Sequence, residues 1–97
     1  MTGNVDIEED IMPKFLDHHS LPPWSPEQLK GLIAQLKSAI ASKKPDKFGV
    51  TIHTTFLAPP EVWCYTDAPN AEAVVKFHEA LGVKVDVGAI KEVTVLV

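Results

Sequence analysis

The stretch that decides the fold is Val50-Thr51-Ile52-His53-Thr54-Thr55-Phe56, followed by Ala58-Pro59-Pro60 and then Glu61-Val62-Trp63-Cys64-Tyr65-Thr66. β-Branched and aromatic residues dominate both runs, and the proline pair between them marks a turn. The two runs predict an antiparallel hairpin. Upstream, Ser25-Pro26-Glu27-Gln28 carries three agreeing signals of a helix start. Ser25 can cap, Pro26 suits the first helical position, and Gln28 completes a capping box. Leu29, Leu32, Ile33, Leu36 and Ile40 then recur at helical spacing, until Lys43-Lys44-Pro45 closes the helix. Downstream, Asn70 caps a second helix whose Ala71, Val74, Val75, His78 and Leu81 share a face, and Gly82 terminates it. Outside these, Pro13 to Ser20 and Ile90 to Val97 read as first and last strands.

The order is therefore β-α-β-β-α-β, which predicts an α+β, ferredoxin-like fold. Two helices should cover one face of a four-stranded antiparallel sheet, with the fourth strand beside the first, then the third, then the second. Residues 1–12 read as a flexible acidic leader holding Asp6, Glu8, Glu9 and Asp10, and Met12-Pro13 as a second candidate start of translation. Residues 13–97 read as a single domain.

Charge narrows the function classes. The formal net charge is -4, and the leader holds four of the thirteen acidic residues, so the remaining nine match nine basic ones. A neutral domain lacks the basic patch that a nucleic-acid partner needs. No apolar run reaches membrane-spanning length, and no signal peptide is evident. Cys64 is the one cysteine, which excludes an internal disulfide and fits a cytoplasmic protein.

The chemistry-bearing residues are Asp17-His18-His19, His53 and His78. Imidazole and carboxylate suit nickel, zinc, cobalt or copper, and imidazole is also a proton shuttle near neutral pH. Along the second strand, alternation sends Val50, Ile52, Thr54 and Phe56 toward the helices and Thr51, His53 and Thr55 to the open face. Along the third, Val62 and Cys64 face the helices while Trp63 and Tyr65 face out. Cys64 reads first as a small buried residue, with a soft ligand or reactive thiol as the second reading. In the first strand the parity is open. If Phe15 faces the helices, so do Asp17 and His19, and they converge with His78. If Leu16 does, they lie beside His53. His78 lies near the end of its helix, where the dipole favours a protonated imidazole. An open face carrying Trp63, Tyr65 and Leu16 predicts an interface, here a homodimer through the sheet.

Several segments together resemble a known family: Met12-Pro13-Lys14-Phe15-Leu16-Asp17-His18-His19, Phe48-Gly49-Val50, Val62-Trp63-Cys64-Tyr65 with Asp67-Ala68-Pro69-Asn70, and Ala73-Val74-Val75-Lys76-Phe77-His78 running into Gly82 and Ile90-Lys91-Glu92-Val93. The family is one of small ferredoxin-like proteins catalogued as a domain of unknown function, with an actinobacterial nickel-binding protein among its members. The resemblance implies a dimer and nickel binding. By position, the family's strand-one histidine is similar to His19 and its second-helix histidine to His78. Some relatives carry another histidine one helical turn later, where this chain has Glu79-Ala80-Leu81-Gly82.

Three functional expectations follow. The first is a metal-binding protein using His19, His78, Asp17 and His53, with nickel ahead of zinc, copper and cobalt and no organic cofactor. The second is a small dimeric α+β barrel enzyme, an isomerase or cofactor-independent monooxygenase, that binds a small molecule and uses His19 or His78 as base and Asp17 as its orienter. The third is an interaction module without chemistry.

Overall fold

The structure is a computed structural model that describes residues 12–96. Its elements are β1 (Lys14–Ser20), α1 (Pro26–Ser42), β2 (Thr51–Ala58), β3 (Glu61–Asp67), α2 (Ala71–Ala80), a 3-10 turn at Val87–Ala89 and β4 (Ile90–Val93). All strand pairs are antiparallel and the order across the sheet is β2-β3-β1-β4, the ferredoxin-like α+β arrangement. The acidic leader expected at 1–12 lies outside the described residues except for Met12.

Local signals act where the sequence places them. The Ser25 hydroxyl accepts from the Gln28 backbone N–H, and the Gln28 side chain accepts from the Ser25 N–H, which closes the capping box of α1. The Asn70 side chain accepts from the Ala73 N–H at 2.8 Å and starts α2. Past Leu81, Gly82 adopts a φ of 79°, a left-handed conformation that costs a residue with a Cβ. The Gly82 N–H then bonds the Glu79 carbonyl and the Val83 N–H bonds the His78 carbonyl. This double closure turns the chain sharply and buries Val83 and Val85.

The core lies between the sheet and α2, built from Phe15, Val50, Ile52, Ala68, Ala73, Val74, Phe77, Val85 and Ile90. Phe15, not Leu16, occupies the core, which decides the parity of β1. α1 is held less deeply: none of its residues is fully buried, and its apolar stripe covers the β2 side of the sheet.

Two expectations are corrected. β2 contains a bulge between Ile52 and Thr54, so that His53 is an extra residue and the parity reverses after it. Thr55 then pairs with Cys64 on the helix side, while Phe56 pairs with Trp63 on the open face and is 59% exposed. The last strand stops at Val93 instead of reaching Val97. Val93 pairs with Lys14, so the next partner would be Pro13, which has no N–H to donate. Thr94 to Leu96 leave the ladder, and Val97 lies outside the described residues.

Candidate metal centre

The parity chosen by Phe15 carries Asp17 and His19 to the helix side of β1. Cross-strand register then places Cys64 directly opposite Asp17, with Thr55 beyond it on β2. From above, α2 lowers His78 onto the same row. Asp17, His19, Cys64 and His78 each offer one donor atom, and these atoms all lie within 4.8 Å of one another. The His78 Nε2 is 3.4 Å from Asp17 Oδ1, His19 Nε2 is 3.9 Å from the same oxygen, and Cys64 Sγ is 3.9 Å from His19 Nε2.

The histidine tautomers follow from their outer contacts. His78 Nδ1 lies 2.8 Å from the Val74 carbonyl, one helical turn back. A carbonyl only accepts, so Nδ1 carries the hydrogen and Nε2 presents its lone pair inward. His19 Nδ1 lies 3.2 Å from the Ser20 carbonyl, with the same result. Two imidazole lone pairs and a carboxylate therefore face one another, and Asp17 Oδ1, Asp17 Oδ2 and His78 Nε2 meet no hydrogen-bond donor among the described residues. Such a concentration of acceptors in a dry interior is unfavourable unless a cation or protons sit between them.

Burial sets the proton affinities. It pushes the Asp17 carboxyl from 3.8 up to about 7. It pushes His78 from 6.5 down to about 4, outweighing the bond to Val74, so the expected protonation of this imidazole by the helix end is overturned. His19 is lowered by the same cause. The Cys64 thiol is raised to about 12 by burial and, secondarily, by the charge of Asp17. Near neutral pH both imidazoles are thus neutral, the state in which they ligate metals.

The donor set fits a metal ion. Metal–ligand distances of about 2.0–2.3 Å in a tetrahedral site imply donor–donor edges of about 3.3–3.8 Å. Three of the separations, 3.4, 3.9 and 3.9 Å, lie in or just above that range. The outer contacts match what metal sites use to hold their ligands: the Val74 carbonyl orients His78, and the Thr55 hydroxyl donates to Cys64 Sγ at 3.8 Å.

Of the residues singled out in the sequence, Asp17, His19 and His78 are brought together and His53 is not. His53 projects from the open face, as strand alternation predicts, and there its Nε2 lies 3.0 Å from Asp67 Oδ1 and its ring 5.0 Å from that of Tyr65. Lys14 Nζ reaches the same Asp67 oxygen at 3.1 Å. His18 is on the open face too, against Trp63 with ring centroids 4.7 Å apart. The fourth member of the buried group is Cys64. Its helix-facing parity was legible, but its register with Asp17 was not.

No family model matches the chain, and no curated protein is similar to it. Among solved structures, the chain is similar to the crystal structure of SCO4226 from Streptomyces coelicolor A3(2), at 24% identity and a TM-score of 0.59, over 87% of this chain and 99% of that one. The likeness supports the ferredoxin-like fold. No helix among the described residues is long and apolar enough to cross a membrane.

Proposed function

We propose that this chain is a small metal-binding protein that holds a divalent transition metal through Asp17, His19, Cys64 and His78. The observation that carries the reading is the convergence of four donor atoms within 4.8 Å in a buried site where, among the described residues, the His78 Nε2 and both Asp17 carboxylate oxygens meet no hydrogen-bond donor. A cation satisfies all of them at once. Nickel stands first because of the sequence resemblance to a family with a nickel-binding member. The two imidazoles, carboxylate and thiol suit zinc and cobalt as well. Four protein ligands fill a tetrahedral shell, which favours storage, transport or sensing over catalysis at the metal. A reduced Cys64 ligand suits a cytoplasmic setting.

The test is metal content. Tag-free protein is dialysed against nickel, zinc, cobalt or copper and then against buffer, beside His19→Ala, His78→Ala and Cys64→Ser variants. One equivalent of metal in the wild type, lost in the variants, supports the site. Absence of retained metal in the wild type overturns it.

A second copy of the chain is the proposed cover for the open sheet face. Phe56 is 59% exposed there, in register with Trp63, and Leu16 and Tyr65 adjoin it. An apolar strip of this kind on a sheet is buried in most soluble proteins.

A further inference from the structure

Three of the four donors are sealed from solvent: relative exposure is 0% for Asp17, 4% for Cys64 and 2% for His78. His19 differs. It borders a cavity of about 440 Å³ that is also lined by His18, Ser20, Glu61, Lys84, Asp86 and Ala89. The cavity has a definite structural origin. β4 begins at Ile90, opposite Asp17, so the edge of β1 from His18 to Ser20 has no β4 partner. The segment leading into β4 buries Val83 and Val85 and leaves Lys84 and Asp86 exposed at the cavity, instead of extending the ladder. A gap therefore opens in the sheet edge at the point where His19 closes the buried group.

We propose that this gap is the port through which a hydrated divalent ion reaches the buried donors, with Glu61, Asp86 and His18 as its waypoint and His19 as its gate. The proposal rests on the metal-binding reading and adds the route and its electrostatics. Six waters at about 30 Å³ each occupy roughly 180 Å³, so the cavity accommodates a hexahydrated ion with room to exchange ligands. Glu61 and Asp86 supply carboxylates on the rim, and His18 Nδ1 lies 3.9 Å from Glu61 Oε2. An incoming ion can trade waters for these groups before it meets His19. On the cavity side, the hydrogen bond of the His19 ring is the one from Nδ1 to the Ser20 carbonyl, which is exposed and breaks at little cost. Rotation of that ring admits the ion to Asp17, Cys64 and His78. Lys84 sits on the same rim and opposes the approach of a cation, which gives the proposal a test of opposite sign.

The experiment is stopped-flow mixing of the metal-free full chain with Co(II), followed by thiolate-to-cobalt absorption, with an equilibrium titration of each protein in parallel. Glu61, Lys84 and Asp86 are exposed, so their substitution leaves the core intact. The double variant Glu61→Gln with Asp86→Asn should capture Co(II) about tenfold more slowly at low salt, and Lys84→Gln about threefold faster. Equilibrium affinity should move by less than about threefold in both, because a waypoint lowers the barrier in both directions. Wild-type capture should also slow as ionic strength rises. Unaltered rates in both variants, with normal equilibrium binding, overturn the port alone. A wild type that takes up no Co(II) at equilibrium overturns the metal reading and the port with it.

Discussion

His78 Nε2 and Asp17 Oδ1 face each other at 3.4 Å across the gap between α2 and β1, both fully buried and neither supplied with a donor among the described residues. Their burial shifts work in opposite directions on metal-free stability. Asp17 is raised from 3.8 to about 7, so its contribution is complete below pH 3.8 and is lost as pH climbs through 7. His78 is lowered from 6.5 to about 4, so its contribution is complete above pH 6.5 and is lost as pH falls through 4. Between about pH 4 and 6.5 the two slopes cancel.

Variants separate the slopes. In chelator, Asp17→Asn should gain stability from pH 4 to 6.5, because only the His78 slope remains. His78→Gln should lose stability from pH 4 to 7. At pH 8 Asp17→Asn should be more stable than the wild type, by on the order of a few kcal/mol, since no buried carboxylate is left to ionise. Urea denaturation across this pH range checks all three.

Metal affinity should rise with pH. Binding displaces the proton of Asp17 below about pH 7 and that of Cys64 at any pH below about 12. The apparent association constant should therefore climb by about a hundredfold per pH unit below 7 and about tenfold per unit above it. Competition with a chelator of known proton affinity measures the slope, and a flat profile would count against Cys64 as a ligand.

Thr55 acts on the metal through Cys64. The Thr55→Val change keeps the side-chain shape and removes the hydroxyl that donates to Sγ at 3.8 Å. Metal affinity should fall roughly tenfold, the usual scale for an outer-contact loss, while urea stability of the metal-free form changes by under about 1 kcal/mol.

Gly82 positions the end of α2. A Cβ there meets Trp24 at an ordinary 3.6 Å, so space is not the problem. The φ of 79° is. Gly82→Ala should destabilise the chain by about 1–2 kcal/mol in urea denaturation.

Phe56 reports on self-association. Light scattering behind size exclusion should find the wild type at twice the chain mass and Phe56→Glu at the monomer mass. Retention of metal by that monomer would separate the buried group from the open face.

Much of the fold was legible because its signals are local. A capping box spans four residues, the Asn70 cap acts within its own turn, and Gly82 answers to a single φ. Strand alternation likewise placed Trp63 and Cys64 on opposite faces. Tertiary structure alone decided three matters. It chose Phe15 over Leu16 for the core, and with that choice moved Asp17 and His19 beneath α2. It inserted the bulge at His53, which reversed the faces of Thr55 and Phe56. It also set the register that brings Cys64 opposite Asp17. These choices depend on how side chains from distant segments fill a shared interior, and adjacent apolar residues such as Phe15 and Leu16 are distinguished only when that interior is assembled.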